Sequence, residues 1–240
     1  MPSQADEEAV FGSARLIDTG PCPYLPDRNF RALVLPEPVD GRPGADRRYR
    51  QLMDHNFRRL ASLIYRPHCP GCTACQVIRV PVACFRPRRD QRRCAMRNRD
   101  LRIDWRPGLC LDAEHRALFR RYQGQVHDDH LSELDQQAEF GGQTCWQCSA
   151  RSADGRLLAV SQIDRFDDAL SSVYCFYDPD AERRSLGTFM ALQEIAWARE
   201  QDLDWWYVGY WVAGCAALDY KRRFLPHERL VDGIWRASEA

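Results

Sequence analysis

The chain reads GRLLAVSQIDRF over residues 155–166, ALSSVYCFYDP over 169–179, SLGTFMALQEIAWAREQ over 185–201 and LDWWYVGYW over 203–211. The first two runs are rich in β-branched and aromatic residues and flank a polar corner at Phe166, Asp167 and Asp168. They are expected to pair as antiparallel strands. Past the loop at 181–184 the spacing becomes helical, with Ser185 as the expected side-chain cap and arginines leading into the helix N-terminus. The last run is strongly β-prone. The order is β-β-α-β.

That order matches the centre of an acyltransferase domain of the GNAT kind and makes the expected class α+β. In such domains the loop before the helix offers backbone N–H groups to an anion. Coenzyme A enzymes carry Arg/Gln-x-x-Gly-x-Gly/Ala there. Here the loop is RRSLGT (183–188): Arg184 takes the first position, Gly187 the first glycine, and Phe189 the second. A bulky residue at that place is expected to block a pyrophosphate, so no coenzyme A is expected.

Upstream, the sequence from Phe11 to Leu35 predicts two short strands around the proline-rich turn PCPYLPDR (21–28), followed by a Gly/Pro loop, EPVDGRPGA. From Asp46 to Leu63 the apolar residues Tyr49, Leu52, Met53, Phe57 and Leu60 recur at helical spacing, which predicts an amphipathic helix. It leads into YRPHCPGCTAC (65–75), where two Cys-x-x-Cys steps share Cys72. Tight turns between such thiols point both sulfurs to one side. Cys69, Cys72 and Cys75, with Cys22 as fourth donor, form a candidate site for zinc or an iron–sulfur cluster. The same cysteines also read as small buried hydrophobes.

QVIRVPVACF reads as a strand. Over residues 79–106 ten arginines face only Asp90, Asp100 and Asp104, although the whole chain has zero formal net charge. A one-sign patch of that kind favours polyanions through counterion release. Asp112–Gln125 reads as a helix with Leu118, Phe119 and Tyr122 on one face. In the segment after it, His127 and His130 read as residues of a solvated loop.

The 240 residues suffice for one large or two small domains. No run approaches the ~18 apolar residues of a membrane span. The acidic opening MPSQADEEAV is read as a disordered lead, 1–10, and places the protein in the cytoplasm. Eleven cysteines without a secretory signal point to reduced thiols. Lys221 is the single lysine.

CPYLPDR (22–28), YRPHCPGCTAC (65–75), SSVYCFYDPDAERRSLGTF (171–189), YVGYW (207–211) and DYKRRFLP (219–226) together resemble the bacterial aminoacyl-tRNA–protein transferases of the N-end rule pathway. More narrowly, they resemble the aspartate/glutamate leucyltransferases. The likeness runs from Pro21 to Trp235. It implies transfer of leucine from leucyl-tRNA to the α-amine of proteins beginning with Asp or Glu, marking them for degradation. It also implies a smaller N-terminal cysteine-bearing α+β domain, 11–100, and a GNAT-like domain, 101–240, that meet near Arg99–Pro107. Relatives with metal at N-terminal cysteines suggest Cys22, Cys69, Cys72 and Cys75 here. The segment 126–149 departs from the family pattern. Arginyl transfer, or metal-dependent RNA binding without catalysis, are the alternatives.

An aminoacyl ester is already activated, so the transfer chemistry requires no cofactor. It requires positioning, a route for the amine proton and donors for the oxyanion. Tyr174, Tyr177 and Tyr210 are the candidate donors, and Asp178, before Pro179, is the candidate acceptor of the proton or holder of the ammonium, or equally the start of a turn. Arg28 and Arg66 are the candidates to bind the acidic side chain, since a desolvated carboxylate needs a cation. Arg184 and Gly187 are the substrate-binding candidates at the anion-holding helix start, and Lys221 and Arg223 are the candidates to hold the tRNA 3′ end or to pair with the acidic N-terminal side chain.

Overall fold

The computed structural model describes residues 14–35, 45–60, 63–126 and 144–238. The lead at 1–10, most of the EPVDGRPGA loop and the His127–His130 segment lie outside the described residues. The chain forms two compact units, 1–79 with 209–240, and 80–208. The boundary expected near Arg99–Pro107 falls inside the second of these.

In the first unit, β1 (Arg15–Pro21) and β2 (Asn29–Leu35) pair antiparallel around the Cys22 turn, which closes with Cys22 N–H donating to the Arg28 carbonyl at 2.8 Å. β3 (Arg58–Leu60) and β4 (Leu63–Pro67) complete a sheet of order β1-β2-β4-β3. The helix expected over Asp46–Leu63 is a correction: α1 spans Ala45–Met53 only. Asn56 takes a left-handed φ of 67°, a conformation Asn tolerates and a helix interior does not. Its side chain then fixes the chain beyond, accepting from Val77 N–H (3.2 Å) and donating to the Cys75 carbonyl (3.0 Å). Tyr49, Leu52, Met53 and Phe57 are still buried, so the apolar pattern was a core pattern serving two elements. β5 (Cys75–Pro81) pairs antiparallel with β11 (Glu228–Val231), which turns into β12 (Ile234–Ala237).

The second unit begins with α2 (Arg89–Arg97) and β6 (Arg102–Pro107), followed by α3 (Ala113–Val126). β7 (Cys145–Arg151), β8 (Leu157–Arg165) and β9 (Ala169–Tyr177) form antiparallel neighbours. A 3₁₀ turn, Pro179–Arg184, leads to α4 (Leu186–Glu200) and then β10 (Trp205–Val212). Within this unit the strand order is β10-β9-β8-β7-β6. β10 runs parallel to β9, which requires the α4 crossover between them. The β-β-α-β order expected from the sequence is present, and the class is α+β.

Parallel register covers only three pairs, from Trp205 with Ala169 to Tyr207 with Ser171. α4 buries Phe189, Met190 and Ile195, each worth about 1.5–3 kcal/mol, and therefore anchors the segment before it. Its buried Glu194 is stabilised by Trp206 Nε1–H at 2.7 Å and by the Ser161 hydroxyl. Ser185 does precede α4, but at a left-handed φ of 53° and with no side-chain cap; the expected capping hydroxyl is a correction. Among the described residues no helix is long and apolar enough to cross a membrane.

Candidate active site

Tyr174 and Tyr177 lie at the end of β9 and Asp178 follows it; the structure sets the two tyrosines against Tyr122 and Gln123 of α3, neither of which the sequence marked as functional. Gln123 Nε2 donates to the Tyr174 hydroxyl, and Tyr122 hydrogen-bonds to Tyr177 with ring centroids 4.8 Å apart. Tyr177 also lies on α4: a Cβ at Gly187 would come within 3.2 Å of its Cε1. Burial pushes the phenols of Tyr174 and Tyr177 upward, so both are neutral donors near pH 7. Tyr177 therefore stands beside the first turn of a helix, where backbone N–H groups favour negative charge, while Tyr174 lies against α3 with Gln123 and Phe119.

Asp178 is buried, and both its oxygens are engaged. Arg121 donates to Oδ1 at 2.9 Å, the Asp180 N–H to the same oxygen at 3.1 Å, and Arg156 lies 3.5 Å from Oδ2. This carboxylate caps the 3₁₀ turn. Arg184 makes two 2.9 Å bonds to Asp100 and a third to Asn98 Oδ1, so its guanidinium holds the turn to the end of α2. Asn98 Nδ2 and the Cys94 thiol bind the Arg184 and Ser185 carbonyls from the same side. The turn borders a cavity of about 600 Å³ that also touches Gln125 and Arg156. Phe189 is 3% exposed and packs with Cys94, Leu101 and Leu186. Its ring is in the core, not over the loop, and its bulk gives no ground against coenzyme A.

The remaining candidates lie in the first unit. Cys22, Cys69, Cys72 and Cys75 line one cavity of about 290 Å³ together with Arg28 and Arg31. Arg31 N–H points at Cys69 Sγ, 3.4 Å away. Burial, reinforced by the neighbouring thiols, pushes Cys75 up to about 12. Arg66 is not at this cavity; its guanidinium lies 5.2 Å from the Phe57 ring centroid. Tyr210 is buried and donates to the Asn56 carbonyl at 2.7 Å, beside Tyr65. Lys221 Nζ donates to the Tyr210 carbonyl at 2.9 Å, across Gly209, whose φ of 92° and bare Cα admit it. Arg223 is exposed on the 3₁₀ segment Ala216–Arg223.

Thiolates are the donor type that zinc or an iron–sulfur cluster takes. Yet among the described residues the one trio with ligand atoms within 4.8 Å of each other is Cys110, Asp112 and His115. The four cavity sulfurs do not converge to that degree. The trio itself is a helix start. Asp112 Oδ1 accepts from the His115 N–H (3.0 Å) and from Nδ1 (2.8 Å), as an N-cap does. Gln147 gives its oxygen to Cys110 N–H and its amide to His115 Nε2, which fixes the proton on Nδ1.

The family model described as arginine-tRNA-protein transferase, N terminus, matches residues 20–93, and its C-terminal counterpart matches residues 114–231. The aspartate/glutamate leucyltransferase of Stenotrophomonas maltophilia (strain K279a) is 42% identical over 233 residues, covering 92% of both chains. That of Halorhodospira halophila is 42% identical over 201 residues, 81% of this chain and 85% of the relative. Among solved structures, L-PGS from Bacillus licheniformis superposes with a TM-score of 0.46 at 12% identity, over 85% of this chain and 70% of that one. With identity above two-fifths sustained over nearly its whole length, the chain belongs to the aspartate/glutamate leucyltransferase family of aminoacyl-tRNA–protein transferases.

Proposed function

We propose that the protein transfers leucine from leucyl-tRNA to the α-amine of a protein or peptide whose first residue is Asp or Glu, marking it for degradation. The observation that carries this reading is the 42% identity, across 92% of the chain, to a protein of that name. The neutral amine attacks the ester carbonyl, the C–N bond forms as the amine loses a proton, and the C–O bond to the ribose breaks as that oxygen gains one. Binding both substrates in line accounts for much of the acceleration, on the order of 7–11 kcal/mol in favourable cases. No cofactor enters these steps, and coenzyme A has no part in them.

In this reading Tyr177, a neutral phenol, donates to the developing oxyanion beside the first turn of α4, and Tyr174 is a second phenol donor nearby. Tyr122 and Gln123 orient them. Asp178 keeps Arg121 and the 3₁₀ turn in place and is not the base. Arg28, at the mouth of the cysteine cavity, binds the acidic side chain of the acceptor. The reaction belongs in the cytoplasm, where charged tRNA is made.

The test mixes the protein with leucyl-tRNA or arginyl-tRNA, each radiolabelled on the amino acid, and with peptides beginning Asp, Glu or Ala. Label moving from leucyl-tRNA onto the Asp and Glu peptides alone is the expected result. Label from arginyl-tRNA instead would reverse the donor and keep the fold and mechanism, and tRNA binding with no transfer would overturn the reading.

A further inference from the structure

The nine residues of α2 carry four arginines, and the helix buries only Gln91 and Cys94. At 100° per residue Arg89, Arg92, Arg93, Met96 and Arg97 fall within an arc of about 140°, on the side opposite those two. All five are exposed, Met96 at 60%. Arg86, Arg88 and Arg99 flank them, also exposed. Several of the guanidiniums are oriented without being neutralised: Arg92 donates to the Pro87 carbonyl, Arg86 to those of Ala83 and Phe85, and Arg97 to that of Arg183. Arg89 and Arg93 make no ion pair among the described residues. Of the nearby acids, Asp100 is bonded to Arg184, and Asp90 stands 3.9 Å from Arg88.

We infer that this face of α2 is a docking surface for the sugar–phosphate backbone of the tRNA donor. Four uncompensated guanidiniums on one short rigid element, those of Arg92 and Arg97 held by backbone carbonyls, suit a row of phosphates. The span from Arg89 to Arg97 is about 12 Å, enough to meet several successive phosphates of one strand. Little apolar surface surrounds them apart from Met96, which argues against a protein partner held by hydrophobic anchors. The inner face of the same helix grips the Arg184 and Ser185 carbonyls through Asn98 and Cys94, directly before α4. A backbone seated on α2 is thus tied, through one turn of chain, to the segment that carries Gly187 against Tyr177. The choice of tRNA as the polyanion rests on the proposed leucyl transfer.

The test measures binding of uncharged, fluorescently labelled leucine tRNA to the full chain between about 50 and 200 mM KCl, with no peptide present. For R89Q/R93Q the expected result is about tenfold weaker binding at the low end and a log K against log salt slope smaller by about 2. R89K/R93K should keep the wild-type slope, and R15Q/R236Q, which removes as much charge from β1 and β12, should leave binding unchanged. In transfer assays R89Q/R93Q should raise KM for leucyl-tRNA and leave KM for the peptide as it is. An unchanged slope in R89Q/R93Q, or an equal loss in R15Q/R236Q, overturns the proposal. Because the binding arm needs no transfer, a lost slope in a protein that moves no leucine would keep the surface and reject the activity.

Discussion

Gly187 is the residue that lets the Tyr177 ring lie on the first turn of α4, since a Cβ there would approach the ring to 3.2 Å. The two effects of Gly187→Ala therefore oppose each other. Alanine favours the helix by about 1 kcal/mol, while Tyr177 must give way by a few tenths of an ångström. Thermal stability is expected to stay level or rise slightly while kcat drops about tenfold, the same loss expected of Tyr177→Phe. Denaturation and steady-state transfer on the same preparation separate the two, and a wild-type kcat would take Tyr177 out of the site.

A second expectation concerns alkaline pH. Burial pushes Tyr65 up to about 12 and moves Tyr24, Tyr122, Tyr174 and Tyr210 in the same direction. Above pH about 10 an unfolded chain releases these protons while the folded chain keeps them. The folded state then binds more protons, so their contribution is fully present below about pH 10 and is lost as pH rises through the folded values. Phenolate absorbance should show only part of the nine tyrosines titrating before a cooperative unfolding step. Reversible titration of all nine near pH 10 with the fold intact would contradict this.

The β-β-α-β stretch was legible because each run satisfies one period and one turn signal: the Phe166–Asp168 corner, the loop before Ser185, and the aromatic run from Trp205. The helix after Gly44 was half legible. Its apolar spacing continues smoothly through Phe57, and only the left-handed Asn56, invisible to periodicity, ends it. α2 was read as charge and not as a helix, because four arginines in nine residues leave too few apolar positions to show a 3.6-residue period. Tyr122 and Gln123 were missed for a different reason. Their roles arise from contacts to Tyr177 and Tyr174 more than fifty positions away, and nothing local marks such a contact. Asp112-x-x-His115 did carry a capping signal.

Asp178→Asn should act on stability and not on proton transfer. The carboxylate is 1% exposed and holds Arg121, Arg156 and the Asp180 N–H. Arg121 and Arg156 are largely exposed, so water recovers part of the loss and the cost is about 2 kcal/mol. Denaturant titration should register that loss, and the pH profile of kcat should keep its shape. A missing limb in the profile would instead identify Asp178 as the base.

The cysteine cavity leads to an expectation about metal. Its four sulfurs share a space but do not close to within ligating distance of one another, and the chemistry proposed uses none of them. Treatment with a strong chelator, followed by gel filtration and metal analysis, should leave kcat unchanged. A fall that added zinc restores would show that the cavity contracts around an ion on which the neighbouring arginines depend.

The two arginines expected to read the acceptor part company in the structure, and their variants should too. Arg28 is exposed at the cysteine cavity, whereas Arg66 lies over Phe57 in β4, away from it. An exposed guanidinium facing a carboxylate contributes about 0.2–1 kcal/mol, so Arg28→Gln should raise KM for an Asp-starting peptide up to about fivefold with kcat nearly unchanged. Arg66→Gln removes a cation–π contact of about 0.5–2 kcal/mol and should lower stability while leaving that KM alone. Measuring both variants on peptides beginning Asp and Glu distinguishes recognition from support. If Arg66→Gln alone raised KM, the acidic side chain would have to be read outside the cysteine cavity, and the assignment of Arg28 would fall.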